Sequence, residues 1–396
     1  MPPRLGAPRF RDLSQLSLMK PLRIGIDVHS IGSQNGGNET YYHELVRALT
    51  QAPREHHFIL YYTKRGALNS LGEQDSFSLK RLWPAHRLLR IPLTLPWLAQ
   101  HDRLDIFHAQ YIVPPLLNCK TVTTIPDIAY EHFPQFFPVQ QRAWLRTLVP
   151  RSARRADHII TVSEHSKRDL IGTYGIEEHK ITVTYEGAGA AFRPIDRQKA
   201  KDRLAHEYQI NDDFILYVGR LQARKNIGRL VGAYSQIRKS GYRHKLVVVG
   251  KAGSLFQPVL SKIRELRLES EILFRGYVPD EDLPCFYSGA DVFAYPSFYE
   301  GFGLPVLESM ACGTPVVTSQ GSSLDEIAGN AALFIDPLDE LSIANALKRL
   351  LGDPQLAKRL AQDGLRRSRE FSFRNAARQT IDVYERLMQE KRPIMA

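Results

Sequence analysis

The sequence predicts an α/β protein made of two doubly wound parallel-sheet domains facing each other across a cleft. Three observations predict it. Apolar runs of strand length alternate with amphipathic helical patterns along the chain, as βαβ units require. The alternation is interrupted once, by the Gly/Pro-rich stretch YEGAGAAFRPID at 185–196, and then begins again. At 396 residues the chain also exceeds one ordinary core, for which about 150 residues is the working expectation.

The first series opens with the strand LRIGIDV (22–28). The helix ETYYHELVRALTQ follows, with Tyr41, Leu45, Val46 and Leu49 on one face. HFILYY, DIFHAQ and TVTTIP read as strands, and VQQRAWLRTLVPRSARRA as a helix broken near Pro150. HIITVS is a strand, and SEHSKRDLIGTYG a helix with Ser163 as N-cap.

The second series runs FILYVGR, NIGRLVGAYSQIRKSG, HKLVVVG, LFQPVLSKIREL, EILFRGYV, EDLPCFYSGA and DVFAYPS, strand and helix in turn. Asn226 is the expected cap of its first helix. LPVLESMACG is a helix ending at Gly313 as C′ glycine. PVVTS, LDEIAG and AALFID continue the alternation, and helices at 340–352, 355–369 and 373–391 close the chain. The expected division is 19–195 for the first domain and 196–372 for the second, with 373–396 a helix crossing back to the first. Residues 1–18 lack the apolar core of a signal peptide and are read as a disordered extension, with Met19 as an alternative start.

Composition narrows the function. Hydrophobic residues at 43% and charged residues at 24% are globular values, and no apolar run reaches the ~20 residues that span a bilayer. Cys119, Cys285 and Cys312 are scattered and odd in number. That points to reduced thiols and a cytoplasmic address, and away from a disulfide framework or zinc site. The net charge is +11, and residues 1–200 carry most of it, with 26 Lys and Arg against 18 Asp and Glu. A basic first half suits an anionic substrate or anionic lipid headgroups. No nucleic-acid module accompanies the charge, so nucleic acid is not an expected partner.

The site is expected where doubly wound sheets bind ligands, beyond the carboxyl ends of their strands. After the strand FILYVG come Arg220 and Lys225, two cations suited to a diphosphate. After DVFAYPS comes YEGFGLPVLES. Gly301 and Gly303 allow close backbone approach, and the helix starting near Leu304 offers its N–H groups and positive dipole end to an anion. Glu300 and Glu308, on either side, can each accept hydrogen bonds from a polyol. A phosphate between two hydroxylated rings describes a nucleotide-sugar. In the first half, Gly36 and Gly37 stand between a strand and a helix, where a backbone could close on phosphates. Asp280 and Asp282 open a short helix, which suits the dipole better than a metal, and no metal site is expected. VVVGKAG lacks the full dinucleotide fingerprint.

GR-x4-KN followed by GYVPDEDLPCFYSGADVFAYPSFYEGFGLPVLESMACGTPVV resembles the retaining glycosyltransferases of family 4, mannosyltransferase-like group 1 enzymes with the GT-B fold of two Rossmann-like domains. The resemblance spans most of 20–390 and is strongest in 214–336. It implies that Arg220 and Lys225 hold the donor diphosphate and Glu308 the ribose. It places the transferred sugar on Glu300 and on the amides of Phe302, Gly303 and Leu304, and the base near Val278. Gly36 and Gly37 match the glycine loop over the donor phosphates. Many relatives carry His-Asp where this chain has Pro126 and Asp127. Asp127 remains for a sugar hydroxyl or the acceptor, and His108 and His132 are acceptor-side candidates.

The implied function is retaining, metal-independent transfer of a hexose, mannose from GDP-mannose first among them, to a saccharide or lipid-linked saccharide. Glu300, Asp127, Arg220 and Lys225 are the expected catalytic groups, and no cofactor is needed beyond the donor. The alternatives on the same fold are a nucleotide-sugar epimerase or hydrolase, or a non-catalytic nucleotide-sugar-binding partner. Basic-aromatic segments at 81–98 and 142–156 suit peripheral docking on the inner face of an anionic membrane.

Overall fold

The computed structural model describes residues 20–33, 36–52, 56–64, 66, 68, 77–251 and 257–389. The extension expected over 1–18 lies outside the described residues.

The first sheet contains β1 (Arg23–Asp27), β2 (His57–Tyr62), β3 (Phe77–Arg81), β4 (Ile106–Gln110), β5 (Lys120–Thr124), β6 (His158–Thr161) and β7 (Ile181–Val183). Its helices are α1 (Gly37–Thr50), α2 (Arg87–Leu89), α3 (Leu95–His101), α4 (Ala129–His132), α5 (Val139–Arg155) and α6 (Glu164–Tyr174), with a π turn at Arg90–Thr94 between α2 and α3. Then α7 (Arg197–Tyr208) leads to the second sheet.

The second sheet contains β8 (Phe214–Val218), β9 (Lys245–Val249), β10 (Ile272–Gly276), β11 (Val292–Tyr295), β12 (Val316–Ser319) and β13 (Ala332–Ile335). Around it lie α8 (Ile227–Lys239), α9 (Gln257–Glu265), α10 (Leu283–Gly289), α11 (Leu304–Ala311), α12 (Ser323–Ala328), α13 (Glu340–Gly352) and α14 (Pro354–Ser368). The chain ends its described part with α15 (Phe373–Gln389).

The strand orders are β3-β2-β1-β4-β5-β6-β7 and β10-β9-β8-β11-β12-β13. All strand pairings among the described residues are parallel, for example Ile24 beside Phe58 and Ile106, and Leu216 beside Val247 and Phe293. Both orders reverse direction once, between β1 and β4 and between β8 and β11. A crevice opens at such a switch point, beyond the carboxyl ends of the strands. The two Rossmann-like domains face each other across a cleft with those ends toward it, which is the GT-B architecture.

Strands buried on both faces read as continuous apolar runs, and β8, β9 and β11 show it with FILYV, VVV and VFAY fully buried. Weaker strands escape that test. β3, at the sheet edge, buries Phe77 alone, and β7 has three residues. Neither is evident in the sequence. α7 buries Ala200 and Leu204 alone, so its pattern is too polar to announce a helix, although Asp196 caps it by accepting from the Lys199 N–H at 3.1 Å.

Four local expectations are settled by geometry. Ser163 caps α6, accepting from the Ser166 N–H at 3.1 Å, and Gly313 follows α11 with φ 77°. α5 is not broken at Pro150 but runs through it. The proline interrupts the backbone ladder locally, and the Arg151 guanidinium donates to the Thr147 carbonyl at 2.5 Å. Asn226 does not cap α8 with its side chain. Its amide instead donates to the carbonyls of Pro296 at 3.0 Å and Pro337 at 2.7 Å, tying the β8 loop to those after β11 and β13.

α15 packs on the first sheet. Phe373, Ala377, Ile381 and Tyr384 share a buried cluster with Tyr41, Leu45, Ile24 and Ile106. Phe302, Leu304 and Leu307 of the second half join the same cluster. Apolar contact therefore continues from α11 into the first sheet's core.

Candidate active site

The loop from Pro296 to Gly303 joins β11 to α11 and carries Glu300 into the cleft. Glu300 is 6% exposed, and each of its carboxylate oxygens has a cationic partner. Lys225 Nζ lies 2.5 Å from Oε1, and Arg224 Nη1 lies 3.2 Å from Oε2. Burial opposes ionisation, but the two cations outweigh it and hold Glu300 down to about 2. Lys225 is pulled down to about 8 by its own burial, against the attraction of Glu300. At neutral pH both are charged. Lys225 also donates to the Tyr295 hydroxyl at 2.6 Å. Its ammonium has three donors, so one is left for a ligand oxygen.

Arg224, which sequence reasoning passed over, makes a salt bridge with Glu300, and its guanidinium also donates to the Tyr299 carbonyl. It stands among the four unnamed residues of GR-x4-KN, where adjacency to Lys225 was the one available signal.

The glycines prove to serve chain-to-chain contact. A Cβ on Gly301 would lie 2.7 Å from the Pro126 carbonyl and 2.9 Å from Asp127 Cβ. The close approach is thus between the two halves of the chain, not between loop and ligand alone. Gly303 caps α11 at φ 106°, and a Cβ there would lie 2.5 Å from Leu324. Serines orient this loop. Ser163 donates to the Gly301 carbonyl at 2.6 Å, and Ser323 to the carbonyls of Glu300 and Phe302 at 2.8 and 2.9 Å. A trans peptide points N–H and C=O in opposite directions. Pinning these carbonyls therefore turns the N–H groups of Gly301, Phe302 and Gly303 the other way, beside the first-turn donors of α11. The side chains of Phe302 and Leu304 are buried, so only their amides are available to a ligand.

Glu308 lies one turn into α11 and is 8% exposed. It accepts from the Tyr287 hydroxyl at 2.8 Å. Burial pushes it up to about 7, with Tyr287 opposing and Asp280 adding to the rise. Arg220 follows β8 and comes alongside Gly36, where a Cβ would lie 3.8 Å from Arg220 Cδ. Gly36 has φ 76° and Gly37 begins α1, so the glycine pair and the helix N-terminus sit across from the β8 loop. Val278 is buried; its neighbour Tyr277 is 58% exposed, with the Lys251 ammonium 5.0 Å from its ring.

On the first sheet, Asp127 follows β5 and accepts from the Ala129 N–H at 3.0 Å. His132 ends α4, with Nε2 3.3 Å from Asp169 and its ring 5.6 Å from that of Tyr299. His108 is a correction. It is fully buried, with Nδ1 2.6 Å from the Tyr384 hydroxyl and Nε2 2.7 Å from Thr124 Oγ1. It belongs to the core beneath α15 and cannot line an acceptor pocket. Asp282 is committed to Arg203 and to the Tyr208 hydroxyl. Among the described residues, Asp213, His244 and Asp291 come close enough together to consider a metal. They precede β8, β9 and β11, on the edge away from the cleft, and Lys201 and Arg197 pair with the two carboxylates.

Comparison with known proteins identifies the architecture's lineage. The family model for glycosyl transferases group 1 matches residues 198–367, and that for glycosyltransferase family 4 matches 35–189. The O-antigen chain mannosyltransferase B of Escherichia coli is 33% identical over 305 residues, 76% of this chain and 80% of that protein. The chain belongs to the family 4, group 1 glycosyltransferases. It is a nucleotide-sugar-dependent glycosyltransferase, an enzyme on the GT-B fold. The transferase is also 31% identical to the serotype-specific mannosyltransferase WbdA of Escherichia coli over 244 residues, but spans 29% of that longer protein. The sucrose-phosphate synthase structure from Thermosynechococcus elongatus shares the fold with a TM-score of 0.76 and 22% identity, covering 93% of this transferase and 99% of that chain.

Proposed function

We propose that the transferase moves a hexose with retention of configuration, mannose from GDP-mannose, to a saccharide or lipid-linked saccharide of a cell-surface polysaccharide. The observation that carries the reading is the Glu300 carboxylate, fixed between Lys225 and Arg224 at the mouth of α11. A sugar hydroxyl can donate to Glu300 while the diphosphate meets Lys225, Arg220 and the α11 amides. The cations and the helix dipole stabilise the departing diphosphate as its charge develops. Glu308 accepts from the ribose. Gly36 and Gly37 face the phosphates, and the backbone near Val278 meets the base. Asp127 stands on the opposite wall for the acceptor or the transferred sugar, and His132 lies at the cleft edge beyond it. Attack from the face of departure, helped by the leaving phosphate, needs no protein nucleophile, and none of these residues is asked to be one.

Mannose is favoured because the curated relatives described above are mannosyltransferases by name. Glu300→Ala is expected to lower transfer by a hundredfold or more while donor hydrolysis stays low. NMR of the anomeric proton reads the stereochemistry, and a thermal-shift panel of sugar nucleotides identifies the donor by mass action. Unchanged turnover in Glu300→Ala would refute the site.

We further place the acceptor side against an anionic membrane. No helix among the described residues is long and apolar enough to cross one. Trp83, Leu93 and Trp97 are 80%, 62% and 61% exposed and border a cavity of about 370 Å³ with Arg81. Arg87 stacks 4.7 Å above Trp144, which joins the two basic-aromatic segments into one face. Burying such side chains in lipid yields ~1.5–3 kcal/mol each. Co-sedimentation with phosphatidylglycerol vesicles tests it, and Trp83→Ser with Trp97→Ser is expected to abolish binding.

A further inference from the structure

Glu186 is the buried acid of the cleft to which the family reading assigns nothing. It follows β7 at the carboxyl edge of the first sheet, the edge that also carries Tyr111 after β4, Asp127 after β5 and Ser163 after β6. It is 5% exposed. Other buried acids are satisfied: Glu385 meets His56 at 3.2 Å, and Asp282 meets Arg203 and Tyr208. Among the described residues nothing donates a hydrogen bond to Glu186.

Its surroundings make it worse placed, not better. The groups that face it are Glu308 on α11, Glu300 before α11, Asp127 after β5, Tyr41 on α1 and Tyr111 after β4. All are acids. Burial first, then Glu308, Asp127 and Glu300, hold the Glu186 carboxyl well above the usual carboxylate range.

The backbone on either side of Glu186 is held in place. On one side the Tyr185 hydroxyl donates to Glu326 at 2.6 Å. On the other, a Cβ at Gly187 would lie 2.6 Å from Ser372 Cα and 2.6 Å from Phe373 N, so the chain is wedged against the start of α15. An unpartnered carboxyl, held in place among other acids, costs the free protein stability. A ligand rich in hydroxyl groups removes that cost.

We propose that Glu186 is a third donor-binding carboxyl, reaching the sugar nucleotide from the first sheet while Glu300 and Glu308 reach it from the second. It accepts a hydrogen bond from a hydroxyl of the bound ligand, which supplies the donor that the protein does not. Both sheets then grip one ligand across the cleft. The inference rests on the sugar-nucleotide reading of the site.

The test uses the full chain, the variants Glu186→Ala, Glu186→Gln and Glu300→Ala, and the probes GDP, GDP-mannose and UDP-glucose. Calorimetry gives affinity, thermal denaturation gives the stability of the free protein, and turnover is followed with the preferred donor. Glu186→Ala is expected to weaken binding of that donor at least tenfold, and to raise the melting temperature of the ligand-free protein at pH 8. Glu186→Gln, which keeps a donor and an acceptor, is expected to retain most of the affinity. Loss for GDP as well as GDP-mannose puts the contact at the nucleoside end; loss for GDP-mannose alone puts it at the hexose. Unchanged affinity in Glu186→Ala overturns the proposal, as does a lower melting temperature with unchanged affinity. If the wild type binds a donor and Glu300→Ala abolishes transfer, that failure belongs to Glu186 alone. If the wild type binds none of the probes, the sugar-nucleotide reading fails and the proposal with it.

Discussion

Replacing Glu308 by Gln separates what the site costs the free protein from what it gives the ligand. The carboxyl is buried, accepts from Tyr287 at 2.8 Å, and is pushed up from an ordinary 4.5 to about 7. Below pH 4.5 it is protonated in both folded and unfolded chains and changes nothing. As pH rises toward 7 the unfolded chain releases its proton first, so stability falls. Above 7 the loss is complete. At ~1.36 kcal/mol per pH unit, the interval from 4.5 to about 7 amounts to roughly 3 kcal/mol by pH 8. Gln carries no charge, and its carbonyl can still accept from Tyr287. The ligand-free variant should therefore be the more stable protein at pH 8, by up to ~3 kcal/mol, and equal to the wild type near pH 4.5. For a domain of this size each kcal/mol moves the melting temperature by about 2–4 °C. Donor binding should move the other way. Losing a hydroxyl bond to a charged acceptor costs ~1.5–3 kcal/mol, a tenfold to hundredfold weaker affinity. The wild-type affinity should rise between pH 6 and 8 and the variant's stay level. Scanning fluorimetry from pH 5 to 9, with calorimetry for the donor, reads both. Coincident melting curves at every pH, or an unchanged donor affinity, would refute the reasoning.

Lys225→Met removes the 2.5 Å partner of a buried carboxylate, so denaturation should shift by ~3–5 kcal/mol and transfer fall by about 10²–10³-fold; an unmoved unfolding midpoint contradicts the ion pair. Because Lys225 sits at about 8, the transfer rate of the wild type should decline above pH 8, while a surviving Lys225→Arg protein keeps its rate to higher pH. Gly36→Ala puts a side chain at φ 76°, a strain of ~1–2 kcal/mol that should appear as lower turnover and a small loss of stability. Tyr384→Phe deletes the hydroxyl 2.6 Å from His108 and should cost ~1 kcal/mol in chemical denaturation with turnover intact, as fits a core contact remote from the cleft.

Much of this was legible because the chemistry is local. Arg220 and Lys225 follow β8, and Glu300 and Glu308 bracket the entry to α11, so strand ends and a helix start announced them. Buried parallel strands announced themselves by composition. β3, β7 and α7 did not, since an edge strand, a three-residue strand and a polar helix carry too little apolar pattern. Arg224 was hidden by its ordinary surroundings in sequence. His108 looked like a strand-end residue facing the cleft, yet α15, 276 residues away in the chain, covers it. Ser163 was read as a cap; that it also pins the Gly301 carbonyl depends on a contact 138 residues distant.

By itself the sequence determined two doubly wound sheets, a cleft at their carboxyl edges, and the loop and helix N-terminus where an anion with hydroxylated neighbours belongs. Those follow from period, punctuation and residue type, which act over a few residues. Only the tertiary structure decided which charges neutralise each other and which stand alone. It paired Glu300 with two cations, left Glu308 with one hydroxyl and left Glu186 with no hydrogen-bond donor among the described residues. Pairing and burial set the free energy of a charge, and both are made by segments distant in the chain, 75 residues apart for Lys225 and Glu300, that meet only when the sheet between them folds.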